Sequence, residues 1–451
     1  MKLTSFKAYD VRGRVPDELN EDMAYKIGRS YPGLFSARRV CVGHDIRLSS
    51  MPLASALMRG LNDAGCDVVN IGLCGTEQVY FATAHLKLDG GIMVTASHNP
   101  IDYNGMKFVR EGSRPISGDT GLKELEAMVA GGEPAAYIGK PGTVARVDIM
   151  QDYIEHLLTY IDRSALKSLK VVVNAGNGGA GPVMDRLESL LPFEFIKINH
   201  TPNGTFPNGI PNPILIENQE VTAKAVREHG ADVGIAWDGD FDRCFLFDET
   251  GGFIEGYYIV GFLAQAFLRR YPDSKIIHDP RLIWNTIELT REAGGETVQC
   301  KSGHAFIKEK MRQEDAIYGG EMSAHHYFRD FSYCDSGMIP WLLVLENMCR
   351  EGKKLSELVG ERMKKYPCSG EINRKVADAG LAMHEVEKRF AVGNCQVERL
   401  DGLSVEFEDW RFNLRASNTE PVIRLNVETK GNEALMQQKT AEILEFLESF
   451  N

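Results

Sequence analysis

No uninterrupted apolar run approaches the ~18 residues that a membrane-spanning helix needs, so a membrane protein of that kind is not expected. The amino-terminal stretch Met1–Lys7 lacks the apolar core of a secretory signal, and the expected location is the cytoplasm. There is no Cys-x-x-Cys. The nine cysteines (41, 66, 74, 244, 300, 334, 349, 368 and 395) are odd in number and scattered. That spacing argues against a disulfide framework or a zinc site and for reduced thiols. Basic residues are also short: 51 Lys and Arg face 63 Asp and Glu, for a formal net charge of −12. A nucleic-acid partner is therefore not expected. An anionic small molecule would need a local basic cluster acting against the overall field.

What remains is a soluble globular composition, 43% hydrophobic and 25% charged, spread over 451 residues. That length is too great for one core and implies several domains. Ser49-Ser50 before Pro52 marks a helix start, Leu53, Leu57 and Leu61 form its stripe, and Gly65 its end. Apolar strands at 40–43, 67–71 and 92–94 lie around it, an order that implies βαβ units. The pattern breaks near Gly131 and resumes after Gly142. A second unit holds strands at 169–173 and 231–237 and a helix through Val221, Ala225 and Val226 that stops at Gly230. A third α/β unit runs from about Gly252 to Pro367. The final stretch differs: close-set strands at 403–407, 410–414 and 422–427 precede a helix from Asn432 to Phe450, as in a small α+β domain. The expected division is 1–142, 143–250, 251–368 and 369–451: three consecutive α/β domains with mixed sheets and a C-terminal α+β domain.

Four constellations carry chemistry. The first is Thr95-Ala96-Ser97-His98-Asn99-Pro100, directly after a buried-looking strand, a place where α/β proteins build active sites. Ser97 is a candidate nucleophile. A Ser97–His98 hydrolase pair is disfavoured, because adjacent side chains usually point apart and the Gly-x-Ser-x-Gly elbow is missing. Lys107 downstream would serve as a phosphate partner, or as a general acid or base if burial lowers its pKa. The second is Asp238-Gly239-Asp240-Phe241-Asp242-Arg243, whose three alternating carboxylates can converge on one hard divalent cation. An EF-hand is disfavoured because Arg243 stands where its turn needs glycine. Arg243 would instead offer a fixed fork to a phosphoryl group.

The third is Gly319-Gly320-Glu321-Met322-Ser323-Ala324-His325-His326, read as a glycine-started loop whose carboxylate, hydroxyl and imidazole can bond sugar hydroxyls. Lys301-Ser302-Gly303-His304 and Asp279-Pro280-Arg281 are candidates for the same place. The fourth is Arg415-Ala416-Ser417-Asn418-Thr419-Glu420-Pro421, with Arg424 on the next strand, a set suited to a phosphate dianion.

Together with Lys7-Ala8-Tyr9-Asp10-Val11-Arg12-Gly13, these blocks, in this order, resemble the α-D-phosphohexomutase superfamily, in its bacterial phosphomannomutase/phosphoglucomutase branch. The likeness runs from Lys7 to Arg424. It implies four domains around a central cleft and a phosphoryl group carried by Ser97. It implies one Mg²⁺ per chain, bound by that phosphoserine with Asp238, Asp240 and Asp242. Glu321, Ser323 and His325 would grip sugar hydroxyls; Arg415, Ser417, Asn418, Thr419 and Arg424 would hold the non-reacting phosphate. Tyr9, Arg12, Lys107 and His304 match cleft positions, and Arg281 is a further substrate-binding candidate. Arg243 and Lys107, with His98 beside the serine, complete the catalytic set. The implied reaction interconverts mannose 6-phosphate and mannose 1-phosphate through a hexose 1,6-bisphosphate that also activates the enzyme. Dual action on mannose and glucose phosphates is the alternative within the family, and a metal-dependent serine phosphatase the one outside it. Ala324 replaces a glycine common in the sugar loop, a change tolerated unless the position needs positive φ.

Overall fold

The computed structural model describes residues 3–132, 139–416 and 422–450. Their contacts form two compact units: residues 1–253 with 327–352, and residues 254–326 with 353–451.

The first unit contains two sheets. In one, β1 (Val11–Arg14), β2 (Arg39–His44), β3 (Asp67–Leu73), β4 (Gly90–Val94), β5 (Tyr103–Arg110) and β6 (Val144–Arg146) lie in the order β1-β5-β4-β2-β3-β6. β2 pairs in parallel with β3 and β4, and β5 returns antiparallel to β4, so the sheet is mixed. β2 and β4 are buried almost throughout, as expected of strands covered on both faces. The helix Ser50–Asp63 buries Leu53, Leu57 and Leu61, the stripe anticipated from its spacing. In the other sheet β7 (Lys170–Asn174) lies between β8 (Glu194–Ile198) and β9 (Val233–Trp237), both parallel to it, and β10 (Cys244–Phe247) pairs antiparallel with β9. The helix Glu220–His229 ends at Gly230, whose φ of 57° reverses the chain without a Cβ clash. Helix Ile339–Glu351 belongs to this unit: Trp341 stands edge-on to Trp237, whose indole N–H donates to the Gly337 carbonyl at 2.9 Å.

In the second unit β11 (Lys275–His278) is flanked in parallel by β12 (Glu296–Gln299) and β13 (Tyr318–Gly320). A second, antiparallel sheet comprises β14 (Ile372–Lys375), β15 (Gln396–Glu398), β16 (Leu403–Glu406), β17 (Trp410–Ala416) and β18 (Val422–Thr429), in the order β14-β18-β17-β16-β15. Its buried residues, among them Val405, Phe412, Leu414, Leu425 and Val427, pack against Ile443 and Leu447 of the closing helix Glu433–Glu448. All nine cysteines are free thiols, seven of them buried. Among the described residues no helix is long and apolar enough to cross a membrane.

Candidate active site

β4 delivers the serine loop. Ser97 lies at its end with φ 49°, in the left-handed region, and is 3% exposed. Non-glycine residues occupy that region only when their surroundings enforce it, and the enforcement is visible. Thr95 Oγ1 accepts from the Ser97 amide at 2.9 Å while donating to Asp45 at 2.7 Å. The Arg47 guanidinium donates to four carbonyl oxygens of the loop: Ser97 (2.9 Å), Asn99 (2.6 Å), Pro100 (2.7 Å) and Tyr103 (3.0 Å).

This backbone brings Ser97 Oγ to 3.0 Å from His98 Nδ1. The expectation that the two neighbours point apart does not hold, because it assumes an extended backbone and Ser97 is left-handed. The hydroxyl also donates to Asp238 Oδ2 at 2.7 Å. Arg243 Nη2, always a donor, reaches the same His98 Nδ1 at 2.5 Å. Burial and the Arg243 charge push the His98 pKa well below the ordinary range, so the imidazole is neutral with Nδ1 accepting.

The acidic loop follows β9. Asp238, Asp240 and Asp242 are buried and present carboxylate oxygens within 4.8 Å of one another. Arg243 bonds Asp238 through Nε (2.9 Å) and Nη2 (2.8 Å). Lys107 Nζ bridges Asp240 (2.7 Å) and Asp242 (2.6 Å). Burial alone would lower the Lys107 pKa, but the two carboxylates outweigh it and raise it. The condition for Lys107 as a proton-transferring group with a lowered pKa is thus not met; it is an ammonium. Three carboxylates against Lys107 and Arg243 leave one surplus negative charge. Asp240 Oδ1 is buried without a hydrogen-bond partner. A hard-oxygen donor set with surplus negative charge and an unsatisfied oxygen fits a small divalent cation.

Arg12 donates to Asn99 Oδ1 of the serine loop (2.6 Å) and pairs with Asp10 (2.6 Å). Tyr9 is half-buried and interacts electrostatically with Arg12.

In the second unit Gly319 and Gly320 are strand residues, so the sugar loop starts at Glu321 rather than at a glycine. It is a tight turn: the Glu321 amide donates to the His325 carbonyl (2.9 Å) and the Ala324 amide to that of Glu321 (3.0 Å). Ala324 has φ 68°, so the alanine occupies a position suited to glycine, at a strain of about 1–2 kcal/mol. Glu321 is buried and accepts from the Gly303 amide at 2.9 Å, next to His304. Ser323 and His325 are half-buried. Arg281, only 2% exposed, is engaged by the protein itself: Asp279 (2.7 Å), Glu321 (3.4 Å), Ser323 Oγ (3.1 Å) and Glu371 (3.1 Å). Arg415 and Arg424 are cross-strand partners on β17 and β18 and share the Glu371 carboxylate, at 3.3 and 3.1 Å. Burial raises the Glu371 pKa, yet Arg281, Arg424 and Arg415 overcome it and hold it down at about 2. Ser417, Asn418 and Thr419 lie outside the described residues.

Sequence reasoning missed Arg47, Thr76, Glu77 and Glu371. Thr76 donates to Asp240 Oδ2 at 2.5 Å. Glu77 accepts from Tyr153 (2.5 Å), Ser336 (2.8 Å) and the Gly337 amide (2.6 Å). One signal was available for Arg47. His-Asp-x-Arg-Leu occurs twice, at 44–48 and 278–282. In both copies the histidine ends a strand, its Nδ1 contacts the aspartate carbonyl, and the arginine amide donates to that aspartate at 2.9 Å. Arg47 then holds the loop after the neighbouring β4, and Arg281 the loop after the neighbouring β13.

The phosphoglucomutase/phosphomannomutase domain models match in sequence: α/β/α domain I at residues 3–135, domain II at 151–252, domain III at 255–366 and the C-terminal domain at 371–445. The chain belongs to the phosphoglucomutase/phosphomannomutase family. Within that family it is 60% identical to a phosphomannomutase of Salmonella montevideo, with 99% of each chain covered. It is 57% identical to a phosphomannomutase of Escherichia coli K12, again over 99% of each. Proteins named phosphohexose mutases from Xanthomonas campestris are 60% identical, covering 99% of this chain and 100% of theirs. A crystal structure of a family member from Burkholderia thailandensis superimposes with a TM-score of 0.88 at 31% identity, over 99% of this chain and 98% of that one. Membership makes the chain an isomerase that relocates a phosphoryl group, with three α/β domains and a distinct C-terminal domain.

Proposed function

We propose that the chain interconverts mannose 6-phosphate and mannose 1-phosphate by passing a phosphoryl group through Ser97, with a hexose 1,6-bisphosphate as intermediate and activator. The observation that carries this reading is the Ser97 hydroxyl, 2.7 Å from a carboxylate of the buried acidic cluster and backed by Arg243. In this reading Asp238, Asp240 and Asp242, with the phosphate on Ser97, hold one Mg²⁺. Bound there, the cation supplies positive charge against the oxygens of the transferring group.

The protein's own residues do the rest. The bond from phosphorus to Ser97 Oγ breaks as one to the free sugar hydroxyl forms, and Ser97 Oγ regains the proton the sugar loses. In the second half the bisphosphate returns its other phosphoryl group, and Ser97 Oγ gives up its proton. Asp238 Oδ2, at 2.7 Å, is the acceptor within reach, and the released sugar oxygen takes up the proton; His98 Nδ1, 3.0 Å from Ser97 Oγ, accepts from Arg243 and orients the hydroxyl. Lys107 and Arg243 keep positive charge beside the group throughout. Glu321, Ser323, His325 and His304 take sugar hydroxyls, and Arg415, Ser417, Asn418, Thr419 and Arg424 take the spectator phosphate; Tyr9 and Arg12 complete the binding set. The reading divides the chain at 142/143, 250/251 and 368/369, one block to each domain, and places the enzyme in the cytoplasm.

The name of the Xanthomonas relatives favours a second, broader reading in which glucose phosphates also react. Both are tested by coupled assays of mannose 1-phosphate and glucose 1-phosphate under equal bisphosphate priming. A clear preference in kcat/KM for mannose 1-phosphate supports the first reading, and near-equality the second. Net release of inorganic phosphate, or full turnover by Ser97→Ala, would remove both.

A further inference from the structure

Two arginines placed directly opposite each other on adjacent antiparallel strands repel. Arg415 and Arg424 are such a pair. Among the described residues both guanidiniums pair with the carboxylate of Glu371, the residue immediately before β14, where the chain enters the sheet. Glu371 Oε1 takes Arg424 Nη1 at 3.1 Å, and Oε2 takes both Arg415 Nη2 at 3.3 Å and Arg281 Nη1 at 3.1 Å. The carboxylate is 8% exposed, whereas the Arg424 side chain keeps 20% of its surface. Arg281 is also paired with Asp279 at 2.7 Å, so among the described residues Arg415 and Arg424 set one positive charge in excess of Glu371, with guanidinium donors that suit a phosphate. Arg281 meanwhile reaches Glu321 and Ser323 through Nη2, so its two terminal nitrogens serve different loops.

We propose that Glu371 is a positioning residue: it fixes Arg415 and Arg424 as a phosphate-holding fork and, through Arg281, ties that fork to the Glu321–Ser323 sugar loop. This rests on the reading of Arg415 and Arg424 as the phosphate cradle. A carboxylate near a phosphate site can act in either of two opposite ways. As a competitor it weakens phosphate binding, and its removal tightens it. As an organiser it strengthens binding by holding guanidiniums that would otherwise swing apart, and its removal weakens it. The shared three-arginine geometry, reaching into the sugar loop, points to the organiser.

The test uses the full chain with Glu371→Gln, Glu371→Asp and Arg415→Gln, titrated calorimetrically with mannose 6-phosphate and with inorganic phosphate. Thermal unfolding and steady-state kinetics are measured on the same preparations. Glu371→Gln is expected to weaken both affinities by about tenfold or more, the value of a charge-assisted contact. KM rises in step, and kcat stays within about threefold. Glu371→Asp keeps the charge and falls between wild type and Gln. Unchanged or tighter binding in Glu371→Gln overturns the proposal, as does an Asp variant no better than Gln. If the Gln variant does not fold, the Asp variant decides: binding weaker than wild type supports the proposal and equal binding overturns it. Arg415→Gln separates the two levels. If it binds as wild type, the cradle reading itself fails; if it weakens binding while Glu371→Gln does not, only the role of Glu371 fails.

Discussion

A Cβ placed on Gly239 stands 2.6 Å from the carbonyl oxygen of Ser97. The backbones of the acidic loop and the serine loop therefore touch, although more than a hundred positions separate them. Gly239→Ala forces one loop away from the other, by overpacking worth about 1–3 kcal/mol. The expected result is a lower melting temperature together with a fall in kcat, measured in parallel on the purified variant. Wild-type kcat in a stably folded Gly239→Ala protein would show that the contact does not set the geometry of Ser97.

Asp240 has one oxygen committed to Lys107 and Thr76 and the other buried without a partner. Asp240→Asn keeps the volume and removes the charge. Apparent affinity for Mg²⁺ is expected to fall by at least about tenfold, read by titrating activity against added metal. An unchanged metal dependence would move the cation elsewhere.

Arg47 makes four bonds to carbonyl oxygens of one loop. Arg47→Met leaves those oxygens, and its partner Asp45, without their cation. Breaking a buried charged contact of this kind costs about 3–5 kcal/mol. Denaturant unfolding should show that loss, and kcat should fall further than the affinity for hexose phosphate. The reverse ranking would assign Arg47 to substrate binding rather than to the shape of the loop.

His326 is buried with Nδ1 2.6 Å from the Tyr318 hydroxyl. Burial, and then the neighbouring His325, push its pKa down to about 3 from 6.5. The folded state binds this proton less readily than the unfolded chain does. The contribution is therefore intact above pH 6.5 and is lost as pH falls from there toward 3, at about 1.4 kcal/mol per pH unit. Urea midpoints between pH 7 and 4 should show a shallower decline in His326→Gln than in wild type. Parallel pH profiles would remove His326 as the source.

Much of the site was legible because its parts are contiguous. Ser97 follows a buried strand, Arg243 follows the third aspartate, and Arg424 alternates with apolar neighbours. What the sequence concealed are contacts made at a distance. Arg47 reaches Ser97 across 50 positions, and Glu77 reaches Gly337 across 260. No spacing rule links such pairs. Lys107 illustrates a different limit: its burial was foreseeable, but the sign of its pKa shift depended on two carboxylates brought alongside from another sheet. His98 illustrates a third. Adjacency predicts divergent side chains only when the backbone is extended, and a single left-handed residue reverses that inference. The succession of α/β units before a different final domain was legible in the βαβ order and the close-set last strands, whereas the packing of 327–352 with the first unit was not, since its partners, such as Trp237, lie in a different segment.

Arg47 bonds only carbonyl oxygens in the serine loop, and every amino acid carries one of those. Apart from Thr95, whose hydroxyl holds the Ser97 amide, the shape of the turn is thus insulated from the identity of the side chains on it. Substitutions between Ala96 and Pro100 can alter reactivity without first having to rediscover a fold. The second His-Asp-x-Arg turn is built otherwise, with Arg281 gripping side chains, so the loop it holds has less freedom to drift. The same turn motif thereby serves a tolerant loop for the reacting group in one unit and a constrained loop for recognition in the other.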